Sequence, residues 1–147
     1  MHDTETIERA AVVAEARTWL ATPYHHQAAI KGAGVDCAML LVAVYHAVGL
    51  VPAIDPRPYP PDWHLHRDEE RYLGWVDRYA RRVERPGPGD IALWRFGRAV
   101  SHAGIVVDWP TIIHAYTGEG CVLADADRGP LAAKNRLNGF YSLWGQA

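Results

Sequence analysis

Cysteine is scarce in this sequence, which holds only Cys37 and Cys121 among 147 residues. Two cysteines do not make the disulfide framework of a small secreted domain, although one bridge between them stays open. Their contexts differ, because Cys37 opens an apolar stretch with helical spacing and Cys121 begins a short strand-like run. We therefore expect Cys121 to be a small buried strand residue and Cys37 to be the accessible, reactive thiol.

The chain also lacks a large excess of either positive or negative charge, and it lacks a long apolar run. Its 15 basic and 17 acidic residues leave a net charge of −2, which argues against a nucleic-acid partner. The longest apolar run, residues 38–48, is too short to cross a bilayer, and the N-terminal residues lack the basic and apolar regions of a signal peptide. We expect no membrane partner and no secretory export.

The first half of the sequence has the spacing of α-helices. One helix is predicted over residues 4–20, capped by Asp3 or Thr4 and ended at Thr22-Pro23, with the stripe Ile7, Ala11, Ala14, Thr18 and Ala21. A second begins at Cys37 and stops at Gly49. Beyond a proline-rich crossing over residues 51–61, a third is predicted from Asp62 to about residue 82.

The second half changes to the alternation of β-strands. Strands are predicted over residues 91–96, 102–107, 111–116, 121–126 and 139–144. Helices followed by an antiparallel sheet are the α+β pattern, and we expect residues 1–147 to form a single domain.

Cys37 is the candidate nucleophile. The glycine-containing loop before it and the helix after it place the thiol at a helix N-terminus, where the macrodipole and unpaired backbone N–H groups favour the thiolate. The backbone N–H of Cys37 is then a candidate oxyanion donor. A cysteine in this context, followed by a histidine far along the chain, is typical of thiol hydrolases.

Two histidines, His102 and His114, meet this requirement if residues 108–110 close a hairpin. Paired residue numbers then sum to about 218, which places both imidazoles on one face and the apolar residues of these strands on the other. His102 can act as general base and acid, and His114 can orient it by accepting its Nδ1–H. A one-residue slip of the register would separate the two side chains.

Three further residues are candidates for substrate or oxyanion contact: Tyr24, Asp36 and Gln27. The remaining histidines include the pairs His25-His26 and His64-x-His66. Neither pair accompanies a second cluster at metal-ligand spacing, so we predict no metal and no cofactor.

Several short segments resemble, in order and spacing, the NlpC/p60 family of papain-like cell-wall cysteine peptidases. They are Thr22-Pro23-Tyr24, Gly34-Val35-Asp36-Cys37, Pro88-Gly89-Asp90-Ile91, Ser101-His102-Ala103-Gly104-Ile105 and Ile112-Ile113-His114-Ala115. The segments from Tyr24 to Gln27 and up to Gly97 resemble the phage-tail and prophage branch in particular.

The resemblance implies an endopeptidase that cuts peptidoglycan stem peptides between D-γ-glutamyl and a diamino acid. It implies Cys37 as nucleophile, His102 as base, His114 as orienting residue and Tyr24 as an active-site residue. Ala38 and Met39 stand where the family has Ser-Gly, which points to a different substrate subsite. Phage-tail proteins are expected as partners, and a virion tail or the cytoplasm as location.

Two alternatives stay open at this point. One is a structural or assembly component of a phage tail with a vestigial site. The other is a thiol amidase or acyltransferase on the same fold, because Cys37, His102 and His114 do not determine whether water or an amine accepts the acyl group.

Overall fold

The computed structural model describes residues 2–55, 71–96 and 99–145. Within these ranges the elements, in chain order, are α1 (His2–Arg17), β1 (Ala29–Ile30), β2 (Gly34–Val35), α2 (Cys37–Ala47), α3 (Arg71–Tyr79), β3 (Arg81–Val83), β4 (Ile91–Phe96), β5 (Ala99–Asp108), β6 (Thr111–Tyr116), β7 (Gly120–Asp125) and β8 (Leu137–Ser142). An antiparallel six-stranded sheet has the order β3-β8-β4-β5-β6-β7, and β1 pairs with β2 separately. This arrangement confirms the α+β class with helices before the sheet.

The first helix is shorter and turned differently from the prediction. It begins at His2, so Asp3 and Thr4 lie in its first turn, and it ends at Arg17 rather than at residue 20. Its buried side chains include Val12 and Ala16, whereas Ile7 is 67% exposed. The helical period allows more than one stripe, and packing against the core selected the other one.

The second helix begins where the sequence places it. The Asp36 carboxylate accepts a hydrogen bond from the backbone N–H of Met39 at 2.9 Å and so forms the N-cap. Gly49, at φ +79°, follows the C-cap residue Val48, as expected for a C′ glycine. The helix is buried around most of its circumference.

None of the described helices combines the length and apolarity that a membrane span requires.

The predicted third helix is wrong at its end. It stops at Tyr79, and residues 81–83 form β3, which pairs with β8 from Arg81↔Ser142 to Val83↔Phe140. The helical spacing of the sequence predicts a longer helix than the structure has. Pairing with a strand some sixty residues away leaves no local signal in the sequence. The predicted cap Asp62, residues 56–61 of the crossing, and His64 and His66 lie outside the described residues.

The central sheet is covered on both faces. One face packs against α1 and α2, and its buried residues include Ile105, Ile113 and Ala115. The other carries a second apolar cluster around Trp94, into which Leu131 is inserted from the short 3₁₀ turn Gly129–Ala132. Because side chains alternate along a strand, His102 and His114 lie on this second face.

Candidate active site

The Cys37 thiol lies at the junction of α2 with β5. Its Sγ is 3.7 Å from the carbonyl oxygen of Ser101, the residue immediately before His102. The side chain is 7% exposed, so the expectation of an open thiol is wrong: the first turn of α2 packs closely against the sheet. Cys37 and Cys121 are both free thiols, which removes the possible bridge. Cys121 is buried in β7 as predicted, and burial raises its pKa to about 11.

The predicted hairpin register is confirmed in its centre. Ile105 pairs with Ile113 and Val106 with Ile112, and both pairs sum to 218, while the register shifts by one at the Asp108↔Thr111 pair near the turn. On the other side of β5 the ladder to β4 also shifts, from Trp94↔His102 to Arg95↔Val100. Ser101 is therefore the extra residue of a β-bulge, and its carbonyl is the one that the thiol contacts.

The two imidazoles are in direct contact. His102 Nε2 lies 2.8 Å from His114 Nδ1, and the ring planes meet at 74°. The prediction that His102 uses its Nδ1–H is wrong. His114 reaches the ring from the neighbouring strand on the side away from the His102 backbone, where Nε2 lies. The tautomer with a proton on Nε2 therefore leaves the lone pair on Nδ1.

Both histidines are held in their neutral form. Burial, followed by the proximity of His114, lowers the pKa of His102 well below its usual 6.5. Burial alone lowers the pKa of His114 to about 4. At neutral pH both rings are therefore neutral, and His102 keeps a lone pair on Nδ1 while His114 accepts the hydrogen bond from Nε2.

Aromatic side chains surround the His102 ring, and these were missed by the sequence analysis. Trp94 lies 5.8 Å away, Phe96 5.6 Å and Tyr116 5.4 Å between ring centroids. Tyr116 also stacks on His114 at 5.3 Å. The alternation of side chains along β4 predicts that Trp94 and Phe96 share one face. Alternation along β6 likewise predicts that Tyr116, two residues after His114, lies on the same face as His114. These rings restrict the orientation of both imidazoles.

Tyr24 reaches the site because its segment lies beside β2. Val35 donates its backbone N–H to Pro23 at 3.0 Å, and His25 donates to Val35 at 3.0 Å. Burial, then the charges of Cys37 and Asp36, raise the pKa of Tyr24 to about 12, with a hydrogen bond to the Thr117 side chain acting in the opposite direction. The phenol therefore stays protonated and can donate a hydrogen bond near the thiol.

Asp36 and Gln27 are joined by a hydrogen bond from a backbone N–H to a side-chain carboxylate. One Asp36 carboxylate oxygen accepts from Met39 N, and the other accepts from Gln27 N at 2.7 Å. The Gln27 side-chain amide lies 3.0 Å from His26 Nε2. The carboxylate thus ties the loop before the nucleophile to the start of α2, which gives Asp36 a structural role at the site.

The two residues that depart from the family pattern are buried. Ala38 is 8% exposed and Met39 is 4% exposed, and both belong to the core between α2 and the sheet. Their side chains are therefore occupied by packing.

A second missed feature anchors the Tyr24 segment to β7. Cys121 N donates to Thr22 O at 2.8 Å, and Ala21 N donates to Cys121 O at 2.9 Å. Gly120, at φ +81°, allows this approach, since a Cβ there would lie 2.7 Å from Thr22 O. The edge strand of the sheet thereby positions the residues that lead to Tyr24.

No group of three or more histidine, cysteine, aspartate or glutamate side chains in the described part of the chain could hold a metal ion. His25 is exposed, and His26 Nδ1 is 3.8 Å from the Asp36 carboxylate.

Neither a family model nor a curated protein matches the chain. Solved structures do. The NlpC/p60 domain of the peptidoglycan hydrolase SagA matches with a TM-score of 0.58 at 21% identity, over 90% of this chain and 96% of that one. NlpC2 from Trichomonas vaginalis matches with a TM-score of 0.67 at 18% identity, over 95% of this chain. A lipoprotein-like NLP/P60 protein from Staphylococcus aureus gives 0.65 at 18% identity, also over 95%.

The chain spans nearly all of the SagA domain but only 47% and 42% of the other two chains. At these identities the likeness concerns the fold. The structural matches agree with the order of helices and strands and with the segments that resemble the family. This chain has the NlpC/p60 fold.

Proposed function

We propose that this protein is a cysteine peptidase that hydrolyses peptidoglycan stem peptides, with Cys37 as the nucleophile. The observation that carries the proposal is the 2.8 Å contact between His102 Nε2 and His114 Nδ1, next to the strand position whose carbonyl contacts the thiol. Thiol hydrolases combine a thiol at a helix N-terminus with an oriented imidazole, and here the thiol contacts the backbone of the residue before such an imidazole. The shared fold with a domain of a peptidoglycan hydrolase supports the substrate class.

In the first half of the reaction, His102 Nδ1 takes the proton of the Cys37 thiol while sulfur attacks the carbonyl carbon of the scissile amide. The C–S bond forms and the carbonyl electron pair moves onto oxygen. His102 then passes the proton to the amide nitrogen, the C–N bond breaks, and the amine leaves a thioester on Cys37. The neutral His114 accepts the hydrogen bond of the transient imidazolium through Nδ1.

In the second half, water replaces the amine. His102 removes a proton from water as the oxygen attacks the thioester carbon, and collapse of the tetrahedral intermediate breaks the C–S bond. The sulfur recovers its proton, and the acyl group leaves as a carboxylic acid.

The oxyanion of both intermediates needs hydrogen-bond donors. We assign this role to the backbone N–H of Cys37, at the start of α2, and to the phenol of Tyr24. The pKa of about 12 keeps the phenol protonated throughout the neutral range, so it remains a donor. Asp36 acts indirectly by fixing the loop of Gln27 against the first turn of α2.

The bond that we propose for cleavage is the one between D-γ-glutamyl and a diamino acid, which the sequence resemblance implies. The net charge of −2 offers little attraction to an anionic wall. We therefore propose that a carrier, such as a phage tail, brings the domain to its substrate.

The experiment is mass spectrometry of soluble muropeptides released from peptidoglycan by the wild type, by Cys37→Ala and by Cys121→Ala. We expect the wild type and Cys121→Ala to release fragments that have each gained one water, and Cys37→Ala to release none. If the wild type digests neither wall nor γ-glutamyl peptides, the protein is better explained as a structural tail component.

Acyl transfer is tested in the same reaction by adding a small amine such as glycinamide. Hydrolysis predicts that the free acid remains the main product. A dominant glycinamide adduct would show that the chain is an acyltransferase.

A further inference from the structure

The turn between β6 and β7 lies beside two parts of the candidate site. It begins directly after Tyr116, whose ring stacks on His114 at 5.3 Å and lies 5.4 Å from His102, measured between ring centroids. The next residue, Thr117, makes a side-chain hydrogen bond with the phenol of Tyr24. Two adjacent residues therefore contact the histidine pair and the phenol to which we assign oxyanion binding.

The backbone around Tyr24 is held from two sides. On one side it forms a bridge with Val35, two residues before the nucleophile. On the other side, Cys121 N donates to Thr22 O at 2.8 Å, and Ala21 N donates to Cys121 O at 2.9 Å. These contacts fix where the Tyr24 side chain begins. The orientation of its hydroxyl then depends on the partner at the far end of the ring.

The direction of the hydrogen bond between Thr117 and Tyr24 decides what the phenol can do. Each hydroxyl has one proton to donate and can also accept. If Tyr24 donated to Thr117, the phenol proton would be used within the protein. The Thr117 contact acts to lower the pKa of the phenol, against the effect of burial, as a donor that stabilises the ionised oxygen does. Donation from Thr117 leaves the phenol proton for a ligand.

We propose that Thr117 is a positioning residue for the oxyanion: its hydroxyl donates to the phenol oxygen of Tyr24 and directs the phenol proton toward the substrate carbonyl oxygen. This inference rests on the proposed function and adds to it a residue that acts through Tyr24. Thr117 is exposed, so water can donate to its oxygen while its own proton is held by the phenol. Two hydroxyls in a chain polarise each other, which makes Tyr24 a stronger donor.

The first measurement does not depend on turnover. The protein is labelled with 3-fluorotyrosine, whose fluorine lowers the phenol pKa and reports ionisation by fluorine NMR. The Tyr24 signal is the one that is lost in Tyr24→Phe. We expect Thr117→Val to raise the pKa of this phenol, because the donor to the ionised oxygen is gone. Thr117→Ser should restore the wild-type pKa, since serine keeps the hydroxyl.

The second measurement is the steady-state turnover of a γ-glutamyl peptide. Thr117→Val should lower kcat about tenfold with little change in KM, because the oxyanion develops only as the carbonyl is attacked. Thr117→Ser should keep most of the activity. In the Tyr24→Phe background, Thr117→Val should have no further effect, since it acts on the reaction only through the phenol.

Thr111→Val is the matched control, because it makes the same replacement at the opposite end of β6. It should leave the pKa of Tyr24 and kcat unchanged. The proposal is overturned if Thr117→Val leaves the pKa of Tyr24 unchanged, or if Thr117→Ser behaves like Thr117→Val. It is also overturned if Thr117→Val lowers kcat as much in the Tyr24→Phe protein as in the wild type, or if Thr111→Val has the same effects.

The proposed hydrolysis fails separately. Consider a wild type that digests neither peptidoglycan nor γ-glutamyl peptides, while Thr117→Val still raises the pKa of Tyr24 and Thr117→Ser restores it. That result would refute the enzyme assignment and leave Thr117 as the residue that orients the Tyr24 proton.

Discussion

His102 Nε2 lies 2.8 Å from His114 Nδ1, and this contact determines which nitrogen of His102 can serve as the base. With Nε2 as donor, the lone pair is on Nδ1. His114 must then be neutral and must carry its own proton on Nε2. The low pKa values of both buried rings are consistent with this protonation state.

Removal of the base and removal of its partner should have different effects on turnover. His102→Ala removes the proton transfer and should lower kcat by about 10²- to 10⁴-fold. His114→Ala should lower it less, and His114→Asn should retain more activity than Ala because its amide oxygen still accepts a hydrogen bond. Steady-state kinetics on a γ-glutamyl peptide measure all three. Full activity with an unchanged pH profile in His114→Ala would make His114 a packing residue.

Stability should fall in acid because the histidines are buried in neutral form. The unfolded chain binds a proton at His114 below its usual pKa of 6.5, whereas the folded state resists it down to about 4. The free energy of unfolding should therefore decrease as the pH falls from about 6.5 to 4, with no contribution above 6.5. The loss from His114 is roughly 3 kcal/mol, at about 1.4 kcal/mol for each unit of pKa difference.

His114→Asn should show a shallower decrease over the same window, since only the buried His102 still resists protonation there. Urea unfolding at a series of pH values measures both curves. Parallel curves for wild type and variant would contradict the buried neutral state of His114.

Alkylation should distinguish the two thiols. Burial raises the pKa of Cys121 to about 11, and its side chain is 0% exposed, so iodoacetamide near neutral pH should modify Cys37 first. Mass spectrometry of peptides at timed intervals gives the two rates. Because Cys37 is 7% exposed, we expect it to react more slowly than an exposed activated thiol. Faster modification of Cys121 would refute the assignment of the nucleophile.

Tyr24→Phe should lower kcat by about 10²-fold if the phenol stabilises an oxyanion, with a smaller effect on KM. The wild-type rate should not decline through phenol ionisation below about pH 10, because the pKa of Tyr24 is about 12. A pH–rate profile of wild type and variant measures both effects. An unchanged kcat in Tyr24→Phe would leave the backbone N–H of Cys37 as the donor.

Gly120→Ala should disturb the site from a distance. Its new Cβ would lie 2.7 Å from Thr22 O and would displace the segment that leads to Tyr24, so both stability and turnover should fall. Gly118→Ala is the matched control, because Gly118 has a similar φ of +86° but no atom within 4 Å of the new Cβ. The control should cost about 1 kcal/mol of stability from backbone strain and leave kcat unchanged. Equal losses of kcat in both variants would show that strain alone is responsible.

Much of the site could be predicted because its signals are local. The start of α2 follows from the cap that Asp36 makes with Met39 N three residues later. The common face of His102 and His114 follows from the alternation of two strands joined by a tight turn, and the confirmed pairs Ile105↔Ile113 and Val106↔Ile112 show that the register was correct there. Each inference needed only neighbours along one helix or one hairpin.

Other features depended on residues that are distant in the sequence. The local spacing predicts helix for residues 81–82, because the strand partner β8 is some sixty residues away and leaves no local signal. The bulge at Ser101 arises from pairing of β5 with β4, and it brings the thiol to the residue before His102. The aromatic rings around His102 come from two strands, β4 and β6, and the alternation within each strand does not show that they meet at this imidazole.

The sequence by itself therefore determined the identity and order of the candidate catalytic residues, the helix that begins at Cys37 and the hairpin that pairs the histidines. Backbone capping and side-chain alternation act over a few residues, so they can be read along the chain. Only the tertiary structure decided that His102 uses Nε2 toward His114 and that Cys37 is nearly covered. Those outcomes depend on how separate strands and a helix pack, because distance and orientation between them are set by the whole core.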